Sequence, residues 1–136
     1  MRWEHYLTEH PITYAVALAV LLAFLSGCQT SQTGMNDNSA AIALLQRVNA
    51  NAHTCWVRSG DKDFRGYSLI PELDTRAGKP RILIVETKAS QGLPKLVIEA
   101  DGSPPKVTAY GPLAQGPLST RIKTDVDRWT AGGSSC

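Results

Sequence analysis

Few side chains in this sequence combine the types and the spacing that catalysis or metal binding requires. The three cysteines and three histidines of the 136-residue chain are Cys28, Cys55, Cys136, His5, His10 and His53. A metal site would combine His53, Cys55 and Cys136, but three ligands, one of them the last residue of the chain, are fewer than the four of a structural zinc site. A reactive thiol at Cys55 would need His53 as its activating partner. We expect neither a metal site nor a reactive thiol.

The carboxylates offer two further arrangements. Glu72 and Asp74 flank Leu73 in a short segment, and paired carboxylates perform acid–base catalysis when a cleft perturbs their pKa values. The segment 61–63 (Asp-Lys-Asp) has the start of a calcium loop but lacks its remaining ligands, which predicts a turn. The sequence contains neither a Gly-x-Ser-x-Gly elbow nor a phosphate-binding glycine loop. We therefore expect no catalytic residues and no cofactor.

The charge distribution argues against nucleic acid as a partner. The chain carries a formal net charge of +2, and its basic residues are scattered rather than clustered. Proteins that bind nucleic acids concentrate Lys and Arg on one face, because the phosphates dominate the affinity.

The N-terminal segment has the organisation of an export signal. Residues 12–24 are apolar and uncharged, a stretch shorter than the roughly 20 residues of a membrane-spanning helix and close to the core of a signal peptide. The four residues Leu25, Ser26, Gly27 and Cys28 then resemble the lipobox of bacterial lipoproteins at every position. The start of the leader departs from the usual pattern, because Arg2 is offset by two glutamates. The alternative is an uncleaved anchor with an incidental cysteine.

The resemblance implies a lipid anchor. In bacterial lipoproteins the lipobox cysteine, here Cys28, receives a diacylglycerol thioether, the leader is cleaved after the preceding residue, here Gly27, and the new amine is acylated. By the sorting rule of enteric bacteria, Gln29 at the next position implies the outer membrane, with the protein facing the periplasm. The resemblance ends at Cys28, and residues 39–136 resemble no characterised family. We expect a signal peptide at 1–27, a lipidated flexible tether at 28–38, and one globular domain at 39–136.

Cleavage at Cys28 changes what the remaining residues can do. It leaves Cys55 and Cys136, and an isolated pair in an oxidising compartment predicts a disulfide. It also removes two of the three histidines and leaves His53, which weakens most enzymatic hypotheses. The remaining part gains one positive charge, to +3, because the leader carries one cation and two anions.

The order of predicted elements indicates an α+β fold. The pattern predicts an antiparallel meander of four to five strands between an N-terminal and a C-terminal helix, both on one sheet face, with the other face open. We predict helices at 39–52 and 119–131, strands at 55–58, 64–70, 81–88, 96–100 and 106–110, and a rigid apolar connector at 111–118. Two i,i+4 ion pairs, Arg121 with Asp125 and Lys123 with Asp127, are expected on the solvated side of the last helix.

These features favour a non-catalytic envelope lipoprotein that binds a protein or a cell-wall component near the membrane. Tyr67 and Tyr110 are the predicted binding residues, because they are the aromatic side chains least suited to the core. An alternative is an inhibitor or accessory factor of an envelope enzyme, which would present a rigid loop at 76–80 or 111–117. A small cell-wall hydrolase using Glu72 and Asp74 is the least favoured alternative.

Overall fold

The computed structural model describes residues 38–74 and 78–136. Every described residue belongs to one compact unit, Asn36–Cys136. The predicted signal peptide, the lipobox and the tether up to residue 37 lie outside the described residues, so their assignment stays a prediction.

In the part of the chain that the structure describes, four short strands form one antiparallel sheet. They are β1 (Tyr67–Glu72), β2 (Arg81–Glu86), β3 (Leu96–Asp101) and β4 (Lys106–Tyr110), and they are adjacent in chain order. Branched apolar residues dominate the two central strands, as expected where side chains pack on a pleated surface. The predicted meander is confirmed.

Among the described residues, three α-helices lie before and after the strands. They are α1 (Ser39–Ala52), the short α2 (Pro112–Gln115) and α3 (Ser119–Thr130). The first helix begins as predicted, although Asn38 rather than Ser39 occupies its N-cap position. The α+β class and the flanking helices are confirmed, while the connector contains the extra helical turn α2. None of the described helices is long and apolar enough to cross a membrane.

The predicted strand at 55–58 is wrong. Residues His53–Arg58 continue α1 as a π-helix. Cys55 and Trp56 follow Val48 and Ala52 at helical spacing, and all four are buried in the same core. This stripe keeps the segment helical despite the β-forming tendency of its tryptophan and valine.

The boundaries of β1 and β2 also differ from the prediction. Phe64 belongs to a 3₁₀ turn at Lys62–Phe64, so β1 begins three residues later and continues through Pro71. At the same end of the β1–β2 pair, where Tyr67 is opposite Glu86, β2 stops at Glu86 and a 3₁₀ turn at Thr87–Ala89 follows. Pro71 is tolerated because β1 is an edge strand, where a missing N–H on the outer side leaves no ladder bond unmade.

One face of the sheet and the helices enclose the core. Ile82 pairs with Ile98 and Ile84 with Leu96 across the central strands, and all four are buried. The helices contribute Leu45, Val48, Ile122, Val126 and Trp129 to the same cluster. Burial of aliphatic side chains stabilises by about 1.5–3 kcal/mol each, so this face contributes most of the favourable free energy of folding.

A buried carboxylate fixes α3 against the π-helix. Asp125 is 3% exposed and accepts a hydrogen bond from Trp56 Nε1 at 2.9 Å and one from Arg128 at 2.9 Å, with Arg121 3.5 Å away. The expectation that Asp125 lies on the solvated side of the helix is therefore wrong, since tryptophan needs an acceptor when it is buried. The second predicted pair, Lys123 with Asp127, is exposed as expected.

The C-terminal tail is held against the same region. Cys55 and Cys136 form a disulfide with their Cα atoms 5.2 Å apart, which is the pairing predicted from the cysteine count. The Ser135 carbonyl accepts hydrogen bonds from Arg128 at 3.0 Å and from Trp129 Nε1 at 3.2 Å. The bond joins the tail to the π-helix, at the position where the sequence predicted the first strand.

Candidate functional site

The face of the sheet that points away from the helices carries a mixed set of side chains. Alternation along each strand places them there, since successive residues of a strand point to opposite faces. The set comprises Ser68, Ile70, Glu72, Arg81, Leu83, Val85, Val97, Glu99, Asp101, Lys106, Thr108 and Tyr110. We call these residues the open face. Val85 is buried, and the other members are at least partly exposed.

The strand register arranges the open face in rows that cross the sheet. One row is apolar and runs from Ile70 through Leu83 and Val97 to Tyr110. Tyr110 is 46% exposed, and among the described residues it and Leu93 are the large apolar side chains most open to solvent. A row of this kind offers contact area to a partner without being part of the core.

The adjacent row is ionic. Arg81 lies between two carboxylates and donates to Glu72 at 2.6 Å, and beyond it Tyr110 donates its hydroxyl to Glu99 at 3.2 Å. Lys79 extends the network by pairing with Glu99 at 3.4 Å and with Asp101 at 2.9 Å. These pairs are exposed and screened by solvent, so they contribute little to stability and the residues of the row can change their partners at low cost.

The network changes the acidity of its members. Partial burial, followed by the nearby Glu99 carboxylate, raises the pKa of Tyr110 above its usual value of 10.0. The hydrogen bond to Glu72 raises the pKa of Arg81, and that to Asp101 raises the pKa of Lys79. The open face thus presents a neutral phenol and fixed charges at neutral pH.

The two predicted binding tyrosines do not meet. Tyr110 ends β4 on the open face, whereas Tyr67 begins β1 at the other edge and packs against the core from the covered face. Of these two tyrosines, Tyr110 is the one that remains a candidate contact on the open face.

The two edges of the sheet differ in their free main-chain groups. Ala100 N–H donates to the Pro80 carbonyl, so the even-numbered residues of β3 bond to β2 and the odd-numbered ones to β4. These odd-numbered residues are paired with the even-numbered residues of β4. The N–H and C=O groups of β4 that point outward are therefore those of Val107 and Ala109. By the same alternation, Pro71 occupies an outward position on β1 and has no N–H to offer.

A groove runs between the free edge of β4 and helix α3. Its volume is about 390 Å³. Its lining comprises Val107, Thr108, Ala109, Ala114, Ser119, Thr120, Ile122, Lys123, Val126 and Asp127. One wall is thus apolar, with hydroxyl groups and the exposed Lys123–Asp127 pair nearby.

Glu72, considered for acid–base chemistry, and Asp61, considered for a calcium loop, have other partners. Glu72 belongs to the ionic row of the open face and is held by Arg81. Asp61 accepts a hydrogen bond from Asp63 N–H at 3.0 Å and pairs with Arg121, as a turn residue does. The Asp63 N–H, followed by Arg121, outweighs partial burial and lowers the pKa of Asp61 below 3.8.

The sulfur and imidazole groups are also separated. Cys55 is buried and bonded to Cys136, whereas His53 is exposed on the π-helix. Within residues 38–74 and 78–136, no group of three His, Cys, Asp or Glu side chains is placed to hold a metal ion.

The structure describes one of the two loops considered for an inhibitor in part and the other in full. Residues 75–77 lie outside the described residues, and Pro80 beside them is buried. The segment 111–117 folds into α2, and Leu113 and Ala114 pack against the core. This segment does not present the rigid protruding loop that the inhibitor hypothesis expected.

Several residues of this surface were missed in the sequence. Arg81 and Glu99 were assigned only to strands, although alternation along β2 and β3 already places both opposite the apolar face. The outward groups of Val107 and Ala109 have no sequence signal, because strand order decides which strand is an edge.

Comparisons with protein-family models, with curated proteins and with solved structures find no match to this chain.

Proposed function

We propose that the chain is a bacterial envelope lipoprotein whose domain, residues 39–136, binds a protein or a cell-wall component close to the membrane without catalysing a reaction. Cys28 carries the lipid, and Gln29 directs the protein to the outer membrane, facing the periplasm. The binding surface is the open face, with Tyr110 at its end.

The lipid anchor is supported by the lipobox resemblance of residues 25–28 behind an apolar, uncharged core at 12–24. Two or more acyl chains make membrane binding stable, because each buried methylene contributes about 0.8 kcal/mol. The ten tether residues that follow Cys28 have a coil reach of about 16–19 Å. The domain would therefore meet partners near the membrane surface.

The open face is the observation that carries the binding role. Its apolar row ends in the exposed Tyr110, and its ionic row lies directly beside it. Partner surfaces of proteins combine aromatic contact area with polar groups in this way. Neither row is needed to close the core, which lies on the other face.

The anchor is tested by metabolic labelling with a palmitate analogue. We expect label on the full chain and none on the Cys28→Ser variant, with Cys136→Ser as a matched control that keeps its label. Label on Cys28→Ser, or an unlabelled chain that retains its leader, would contradict the anchor.

The binding surface is tested in envelopes of the cells that make the protein. A photo-crosslinking side chain at Tyr110 is expected to yield a defined adduct with a protein or with wall material. The same side chain at Gln46, which is exposed on α1, is the matched control and is expected to yield none. Equal yields at the two positions would contradict a role for the open face.

A further inference from the structure

We infer that the free edge of β4 takes an extended strand from a partner protein, and that this strand carries an acidic side chain opposite Lys106. The inference rests on the proposed binding function and names the chemistry of the partner. Its test needs neither lipid nor envelope, so its failure can be told apart from failure of the proposed function.

The main chain of β4 has N–H and C=O groups that point away from the sheet. Val107 and Ala109 direct their N–H and C=O groups outward, and none of the described residues hydrogen-bonds to them. The opposite edge is blunted by Pro71, whereas β4 contains no proline between Lys106 and Tyr110. An edge with regular, unpaired groups accepts an added strand through main-chain hydrogen bonds.

The groove beside this edge has space for side chains of the added strand. An added strand points every second side chain toward the helices, and there the groove of about 390 Å³ lies against Ala109, Ala114 and Ile122. Small apolar side chains suit this wall. The strand would thus bury apolar groups while its main chain completes the sheet.

The remaining side chains of the strand would continue the rows of the open face. A residue beside Tyr110 extends the apolar row, and one beside Thr108 extends the ionic row. Lys106 is opposite Asp101 in the register of β3 and β4, but Asp101 pairs with Lys79, and no ion pair of Lys106 is found among the described residues. A carboxylate opposite Lys106 would complete the charge pattern, and a basic strand would be repelled.

A second copy of this chain fits the edge less well. Two copies joined about a two-fold axis pair their outward residues, Val107 and Ala109, in one of three registers. The residue opposite Lys106 is then Thr108, Tyr110 or Pro112. None of the three is acidic, so charge complementarity favours a different chain.

The probe is a blocked, synthetic peptide containing Val-Ala-Thr-Ala-Glu, which matches Tyr110 through Lys106 in the antiparallel direction. The reversed peptide tests the parallel direction. Each is added to the full-length chain in detergent, and amide exchange is followed residue by residue by NMR. We expect one of them to slow exchange at Val107 and Ala109 at least about tenfold, because both amides gain a hydrogen bond.

Two controls separate strand addition from unspecific binding. A peptide N-methylated at the residues whose amides face β4 keeps every side chain and is expected to lose the protection. Lys106→Gln is expected to weaken the Glu peptide about two- to five-fold, the range for an exposed ion pair, and to leave a Gln peptide unchanged. Lys88→Gln, a matched change on an exposed turn, is expected to have no effect.

Three results would overturn the inference. The first is unchanged exchange at Val107 and Ala109 with both peptides, and the second is an N-methylated peptide that binds as well as its parent. Protection of these two amides that grows with protein concentration and needs no peptide would show instead that the edge joins two copies of the chain.

Discussion

The two faces of the sheet are made by the same strands and behave differently. On the covered face, Ile82 and Ile98 meet the helices and are fully buried. On the open face, their chain neighbours Arg81 and Glu99 stay in contact with water and form exposed ion pairs. The difference shows that one face of this domain stabilises the fold, while the other is free to change its contacts.

The largest effect is expected from the disulfide, which fastens the tail to the covered side. Cys136→Ser should lower the free energy of unfolding by about 4–5 kcal/mol, because the bond closes a loop with a sequence separation of 81. Urea denaturation of the oxidised chain measures this, and Cys28→Ser is the control expected to unfold like the wild type. Two thiols that react without reductant in the folded protein would contradict the bond.

A similar loss is expected when the buried carboxylate is removed. Asp125→Ala should lower the free energy of unfolding by about 3–5 kcal/mol, since Trp56 Nε1 and Arg128 lose their acceptor. Asp127→Ala, two residues along the same helix, removes only an exposed pair and should cost less than about 1 kcal/mol. Equal losses in denaturant titrations of the two variants would show that Asp125 is not buried.

A smaller loss is expected where the open edge strand turns into α2. Gly111 has φ of 119°, and a Cβ there would lie 2.8 Å from the Lys95 carbonyl oxygen. Gly111→Ala should therefore cost about 3 kcal/mol of unfolding free energy, through strain and a backbone contact together. Gly66→Ala is the control with strain alone, because its Cβ meets open space, and it should cost about 1 kcal/mol. A milder effect at Gly111 than at Gly66 would contradict this packing.

The smallest effect is expected on the open face, in the pKa of Tyr110. Ultraviolet titration should give Tyr110 a pKa above 10.0, and Glu99→Gln should lower that pKa because a nearby negative charge is lost. Since the pKa is higher in the folded chain than in the unfolded one, stability is retained below pH 10 and falls as the pH rises through the folded value. Tyr110→Phe lacks this phenol and therefore identifies which part of the ultraviolet titration belongs to Tyr110. A Tyr110 pKa that is the same in Glu99→Gln and in the wild type would contradict the contact between Glu99 and Tyr110.

The sequence was sufficient to predict a helix or strand where the local pattern and the tertiary contacts favour the same structure. The apolar seam Leu118, Ile122, Val126 and Trp129 predicts α3, and the branched run of β2 predicts a central strand. The open face follows from the same alternation, although Tyr110 was its one member predicted as a binding residue.

The remaining features depend on contacts distant in sequence. Asp125 points inward because Trp56, 69 residues away, needs an acceptor. Pro71 can stay within β1 only because that strand is an edge, which the order of strands decides. The π-helix could have been found, since Cys55 and Trp56 extend the buried stripe of α1, but the β-forming residues concealed it.

The most direct test of the difference between the two faces is photo-crosslinking in the living cell at Thr108. Its side chain lies on the open face, next to the free edge of β4. The matched position is Ala43, exposed on the outer side of α1. We predict a defined adduct from Thr108 and none from Ala43, with the Thr108 adduct reduced in Lys106→Gln. An adduct from Ala43 alone would contradict the account and place the binding surface on the helices.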